Sequence, residues 1–292
     1  MSVGSSPVVR RATADYHGHP TYRLDSRNLW LEALASSGPR IVRLGLAGSD
    51  VNLLAETPDD GWDTPLGRYE LFGGHRLWFA PENPSLVAVP DSTGLRLTEN
   101  ERGVELEGAP EPETGLVRSI SIALDESAPS VDLHHRLVNR GDRPLELAPW
   151  SITQLPLGGT AVLPQAQIGD GPLVNPDRLL VLWPYSSWQD ERLMPGDDEL
   201  RVRGSAGDRL KMGTFVQAGS VSYQRNGTTL ASRFTPQRGK AHADLGCNVE
   251  VFVGDRYIEI EVLGPLATLE PGAAVELAVR WEIASDGRTP NE

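Results

Sequence analysis

The chain has 292 residues, 39% of them hydrophobic, enough for a large core and compatible with one big β domain or two ordinary ones. Its 27 lysines and arginines face 40 aspartates and glutamates, and the net charge of -13 disfavours nucleic acid or an anionic membrane surface as partner. The single Cys247 excludes an intramolecular disulfide and reads as a small buried thiol in a reducing cytosol. No charged segment followed by an apolar run opens the chain, and nothing approaches the roughly 18 apolar residues of a membrane helix. The expectation is a cytoplasmic protein with no membrane span.

Thirty glycines and 23 prolines punctuate the chain at short intervals, which predicts many short strands joined by turns and few helices. In chain order, His17-Gly18-His19 has a spacing that suits a metal chelate, but no Cys or third His stands at ligand distance in sequence, and no metal is expected. Arg27 to Ser36 reads as a strand through Leu29, Leu31 and Ala33, although Asp25 or Ser26 would also cap a helix. Gly73 to Pro84 then packs two glycines, the His75-Arg76 pair, Trp78, Phe79 and Glu82 together, a mixture costly to bury without partners. Arg76 offers donors to hydroxyls and an aromatic face suits the C–H side of a sugar ring; a Trp-anchored strand with Arg76 paired to Glu82 fits these residues as well.

Further on, Ile120, Ile122 and Leu124 alternate on one strand face, as do Val131, Leu133 and Leu137 on the next. His134 and His135 are adjacent on that strand, so they diverge and cannot share an ion. Turns are predicted at Asn139 to Asp142, Asn226-Gly227, Gly254-Asp255 and Glu270 to Gly272. From Gly158 to Pro195 the chain reads as a loop carrying Trp183, Tyr185 and Trp188, the kind of segment that walls a ligand site. Ser220 to Phe234 reads as a hairpin closed by Asn226-Gly227, which supplies the positive φ angles of a two-residue turn.

Late in the chain, Tyr257 to Leu263 alternates with Ile258, Ile260 and Val262 on one face and Glu259 and Glu261 on the other. Two carboxylates on one face repel if buried, which would raise one pKa into the range of a usable base; on a solvated face neither would be perturbed. No Gly-x-Ser-x-Gly elbow, phosphate-cradling loop or dinucleotide fingerprint is present, so hydrolase triads and nucleotide cofactors are not expected.

Taken in order, the Gly73 to Pro84 segment, Asn175 to Arg178 leading to Leu182-Trp183-Pro184-Tyr185, Leu210-Lys211-Met212-Gly213, and Tyr257 to Leu266 resemble a bacterial family known only as a domain of unknown function within the galactose-mutarotase-like superfamily. The resemblance runs from about Tyr22 to Ile283. It implies one all-β supersandwich of mainly antiparallel strands over residues 22–284, an N-terminal extension over 1–21 and a tail over 285–292. It also implies a small-molecule sugar or oligosaccharide as partner, bound on a concave sheet face without a cofactor.

In the aldose mutarotases of that superfamily a Glu near the C-terminus takes the anomeric proton while a His protonates the ring oxygen. The resemblance carries the base to Glu261, with Glu259 as second choice. The acid's place is similar to Ala148-Pro149-Trp150-Ser151, which has no His. His75 is the expected replacement acid, with His134, His135 and His242 as alternatives. Arg76, Trp78, Glu82, Trp150, Trp183, Lys211 and His242 are the expected substrate contacts. The two functions in view are a sugar epimerase or mutarotase-like isomerase and a non-catalytic carbohydrate-binding or structural β-sandwich.

Overall fold

The computed structural model describes residues 9–83, 86, 88–165 and 176–285. Two antiparallel sheets lie face to face. The larger runs, in spatial order, β1 (Arg10–Tyr16), β2 (His19–Asp25), β3 (Leu29–Leu34), β4 (Arg40–Leu46), β7 (His75–Ala80), β12 (Leu145–Pro156), β21 (Tyr257–Leu263), β20 (Val249–Val253), β17 (Leu210–Thr214) and β14 (Val181–Leu182), with β22 (Ala267–Leu269) paired to the start of β12. The second runs β15 (Leu193–Pro195), β16 (Glu199–Arg203), β13 (Thr160–Pro164), β18 (Ser220–Arg225), β19 (Thr228–Arg233), β23 (Ala274–Ser285), β11 (Ser130–Asn139), β10 (Leu116–Leu124), β9 (Gly103–Glu107) and β8 (Arg96–Asn100). A separate hairpin, β5 (Glu56–Thr64) and β6 (Gly67–Gly73), lies over part of the larger sheet.

Strand alternation explains how the layers meet. Leu77 and Phe79 of β7, Val249, Val251 and Val253 of β20, and Ile258, Ile260 and Val262 of β21 point inward. They meet Ile120, Ile122 and Leu124 of β10, Val131, Leu133 and Leu137 of β11, and Val279 and Trp281 of β23. Each such side chain contributes roughly 1.5–3 kcal/mol when fully buried. This fixes the register, because a one-residue slip would turn every apolar group outward. A smaller apolar cluster sits on the outer side of the larger sheet, where Tyr69 and Leu71 of the β5–β6 hairpin pack on Trp78, Trp150 and Leu263.

The all-β class and the turns follow the sequence reading. Arg27 to Ser36 contains strand β3, not a helix. Asn226 and Gly227 have φ of 51° and 71° and close the β18–β19 hairpin in register, Arg225 facing Thr228. The segment from Gly158 to Pro195 departs from the reading as a loop. It holds β13, which is paired on both sides, and the short strands β14 and β15. Thr160-Ala161-Val162-Leu163 supplied the alternation there, and the prolines and glycines around it obscured it. The sheet starts ahead of Tyr22, because β1 pairs with all of β2. Among the described residues no helix is long and apolar enough to cross a membrane.

Candidate functional site

The neighbouring strands β7, β12, β21, β20 and β17 place one residue each in cross-strand rows on the outer face of the larger sheet. Arg76 lies opposite Ile152, Ile152 opposite Glu261, Glu261 opposite Glu250, and Glu250 opposite Gly213. In the parallel row Gln154 lies opposite Glu259, Glu259 opposite Phe252, and Phe252 opposite Lys211. The polar groups of this face form two linked clusters.

In the first, Lys211 Nζ lies 2.8 Å from Glu250 and 3.0 Å from Glu261, and Trp150 Nε1 donates to Glu261 at 2.8 Å. The same ammonium is held between two indoles, 4.6 Å from the Trp150 ring and 4.7 Å from that of Trp183. Gly213 is needed here for close approach, since a Cβ would fall 2.5 Å from Cys247 Sγ and 3.3 Å from Glu250 Cγ. In the second cluster Arg76 lies 3.0 Å from Glu259 and 4.4 Å over the ring of Trp78, while Gln154 Nε2 donates to Glu259 at 2.9 Å.

The charged groups are all buried, Glu250 being 0% and Glu261 1% exposed, while Trp183 is half-buried. Three carboxyl groups therefore share two cations out of water. Burial pushes the Glu250 carboxyl well above the ordinary range, against the pull of Lys211, and the nearby Glu261 adds to the rise. Burial likewise raises Glu259, with Arg76 opposing it and Glu261 assisting. Lys211 is pulled down by burial but raised more by Glu261 and Glu250, so it stays an ammonium. Several donors and acceptors here, Arg76 Nε and Nη1, Gln154 Oε1 and Glu261 Oε1, have no hydrogen-bond partner among the described residues. Each unmade bond of this kind costs about 1–3 kcal/mol.

Of the residues expected at the site, Glu261, Glu259, Arg76, Trp78, Trp150, Trp183 and Lys211 come together on this face. Glu82 is exposed at its rim, near Tyr185, whose hydroxyl is pushed up to about 12 by burial, with Lys211 opposing and Glu261 and Glu82 assisting. His242 stands apart: its Nδ1 shares a hydrogen bond of 3.0 Å with Lys240 O and its ring stacks edge-on to Phe215.

The expectation that His75 replaces the missing acid is corrected by its orientation. His75 shares a face with Leu77 and Phe79, so it points between the sheets, away from Arg76. There Nδ1 meets Thr153 Oγ1 at 2.9 Å and Nε2 meets His135 Nε2 at 2.7 Å, while His135 Nδ1 lies 2.9 Å from Leu277 O. A carbonyl only accepts, so His135 carries its proton on Nδ1, His75 carries its own on Nε2, and the Thr153 hydroxyl donates to His75. Both rings are neutral in this chain and burial lowers both pKa values, that of His135 to about 4. His135 and His134 belong to the second sheet and so do not reach the outer face; His134 is exposed and pairs with Glu276 at 3.4 Å.

His17 and Gly18 form the β1–β2 turn, with His17 bonded to Glu56 at 2.7 Å and His19 stacked on Phe72. Cys247 is fully buried, and burial together with the nearby Glu250 pushes its thiol up, which makes it a poor nucleophile. The sequence reading missed Glu250 and Gln154. Both were legible in principle: Glu250 alternates with Val249 and Val251, and Gln154 with Thr153 and Leu155.

The arrangement of two large antiparallel sheets is shared by solved structures of galactose mutarotase-like proteins. A galactose mutarotase-like protein from Lactobacillus casei ATCC 334 matches over 94% of this chain and 100% of its own, with TM-score 0.54 and 9% identity. A galactose mutarotase related enzyme from Lactobacillus acidophilus matches over 91% of this chain and 97% of its own, with TM-score 0.52 and 11% identity. A TPR-domain containing protein from Parabacteroides distasonis ATCC 8503 matches over 93% of this chain with TM-score 0.62 and 13% identity, and this chain spans 48% of its length. Identities this low carry the fold alone. No family model and no curated protein matches the chain.

Proposed function

We propose that the protein binds a carbohydrate on the outer face of the larger sheet, at the cluster of Arg76, Trp78, Trp150, Lys211, Glu259 and Glu261. The observation that carries this reading is the set of buried, unpartnered polar atoms there, Arg76 Nε and Nη1, Gln154 Oε1 and Glu261 Oε1, lying among indole rings. Sugar hydroxyls both donate and accept, so they complement such a mixed set, and indole faces suit the apolar side of a pyranose ring. Binding in place of turnover is the simpler form of this function, because Glu261 is engaged by Lys211 and Trp150 and Pro149 stands where the mutarotase acid is expected.

One observation favours catalysis as a second reading. Glu250 and Glu261 are cross-strand neighbours joined through one ammonium, and burial raises the proton affinity of Glu250. In this reading Glu261 takes the anomeric proton and Glu250 supplies one to the ring oxygen, the two exchanging roles as the ring recloses.

Calorimetry with mono- and oligosaccharides, together with NMR of anomer interconversion across an aldose panel, separates the readings. Saturable binding that weakens about tenfold in Trp150→Ala supports the site. Interconversion above the buffer rate that falls at least a hundredfold in Glu261→Gln and Glu250→Gln supports catalysis. No binding to any glycan and no rate above buffer would remove both.

A further inference from the structure

Beside the polar face lies a cavity of about 150 Å³, many times the ~10–15 Å³ that one water needs. Its lining includes three arginines drawn from both sheets: Arg40 of β4, Arg76 of β7 and Arg118 of β10. All three are more than nine-tenths buried. Trp78 lines the cavity too, and exposed Thr93, Ala109 and Pro110 also line it. A protein of net charge -13 has gathered three buried guanidinium groups around one space, and that arrangement calls for an explanation.

Carboxylates account for part of it. Asp91 lies 2.7 Å from Arg40, and Glu111 lies 2.6 Å from Arg118. Those are the carboxylates in the lining, and Glu259 balances Arg76 from outside it at 3.0 Å. Arg40 is further held by Leu71 O and the Tyr69 hydroxyl, which reads as a structural fixture. Arg76 differs. Its single hydrogen bond among those described goes to Glu259, outside the lining, and its Nε and Nη1 have no acceptor among the described residues. Arg40 Nε is in the same position. A guanidinium is not deprotonated to escape burial, so its unmet donors need an acceptor, and the charge-assisted bond to a negatively charged one is the stronger.

We propose that this cavity binds an anionic group, a phosphate or a carboxylate, with Arg76 as its principal donor and Arg40 and Arg118 completing the positive lining. Because Arg76 and Trp78 belong to both the cavity and the outer face, the anion and a sugar ring are placed to be parts of one ligand. That last clause rests on the carbohydrate reading, whereas the anion site stands without it.

The test is calorimetric titration of the full chain with inorganic phosphate and with acetate at low ionic strength, followed by glucose 6-phosphate, glucuronate and glucose. Saturable binding of phosphate or acetate is expected, weakening at least tenfold in Arg76→Met. Should Arg76→Met fail to fold, Thr93→Glu replaces an exposed lining residue and is expected to weaken anion binding about fivefold to tenfold through charge alone. Whichever of glucose 6-phosphate and glucuronate binds more tightly identifies the group. Absence of saturable binding by every anion overturns the proposal, as does binding that neither variant changes. Glucose binding without anion binding would leave the carbohydrate reading standing and sink this one.

Discussion

His75 and Arg76 are adjacent on β7, both polar and both buried, yet they end in opposite kinds of environment. Between the sheets, the chain from Thr153 through His75 and His135 to Leu277 O matches every ring donor to one acceptor. On the outer face, Arg76, Gln154 and Glu261 each keep an atom that nothing described here satisfies. A buried network that closes on itself fixes a structure, and one left open has capacity for something else. The contrast teaches that burial of a polar residue does not by itself mark a site.

The strongest way to break this comparison is through Lys211. Lys211→Met leaves Glu250 and Glu261 buried without their shared cation, and a loss of about 3–5 kcal/mol in urea unfolding is expected. Adding Glu250→Gln should recover a measurable part of it. A loss below about 1 kcal/mol for Lys211→Met would mean that the outer face is wetter than its burial suggests.

Next in size is the acid response of the inner pair. The folded-state pKa of His135 is lowered from 6.5 to about 4, so the unfolded chain binds more protons between those values and stability rises with pH there. Acidification from pH 6.5 towards 4 and below should therefore remove up to ~3 kcal/mol, progressively, with His75 adding in the same direction. In His135→Gln the part of this slope due to His135 should vanish in pH-dependent urea titrations. An unchanged slope would reassign the acid sensitivity to other groups.

Smaller effects should sort by face. Thr153→Val removes the donor to His75 Nδ1 and should cost about 1 kcal/mol with sugar affinity unchanged. Trp188, 70% exposed, should tolerate Trp188→Ala within about 0.5 kcal/mol, so any change it makes to oligosaccharide binding reports contact and not folding.

How much of this was legible in the sequence depended on whether a strand has one apolar face. In β21 the apolar set Ile258, Ile260 and Val262 assigned Glu259 and Glu261 to the outer face correctly. In β7 all six residues are buried, because the β5–β6 hairpin covers part of the outer side, so alternation alone left His75 free to be placed on either face. The deciding information was that His75 keeps step with Leu77 and Phe79, and that His135 keeps step with Val131, Leu133 and Leu137. The lysine bridge between Glu250 and Glu261 depends on β17, distant in sequence, meeting the β20–β21 hairpin in register, which no local pattern encodes.

The order of strands bears on how the molecule behaves in a crowded solution. Two open sheets have four edges, each with unpaired backbone groups that invite another chain to add a strand. Here β14 is two residues long and β15 is three and ends in Pro195, so neither offers a useful template. The longer edges carry charge: β1 presents Arg10 and Arg11, and β8 presents Arg96 and Glu99. Arg11 also pairs with Glu99 at 3.5 Å, which ties these two edges to each other. Self-association through the described edges of its sheets is thereby discouraged.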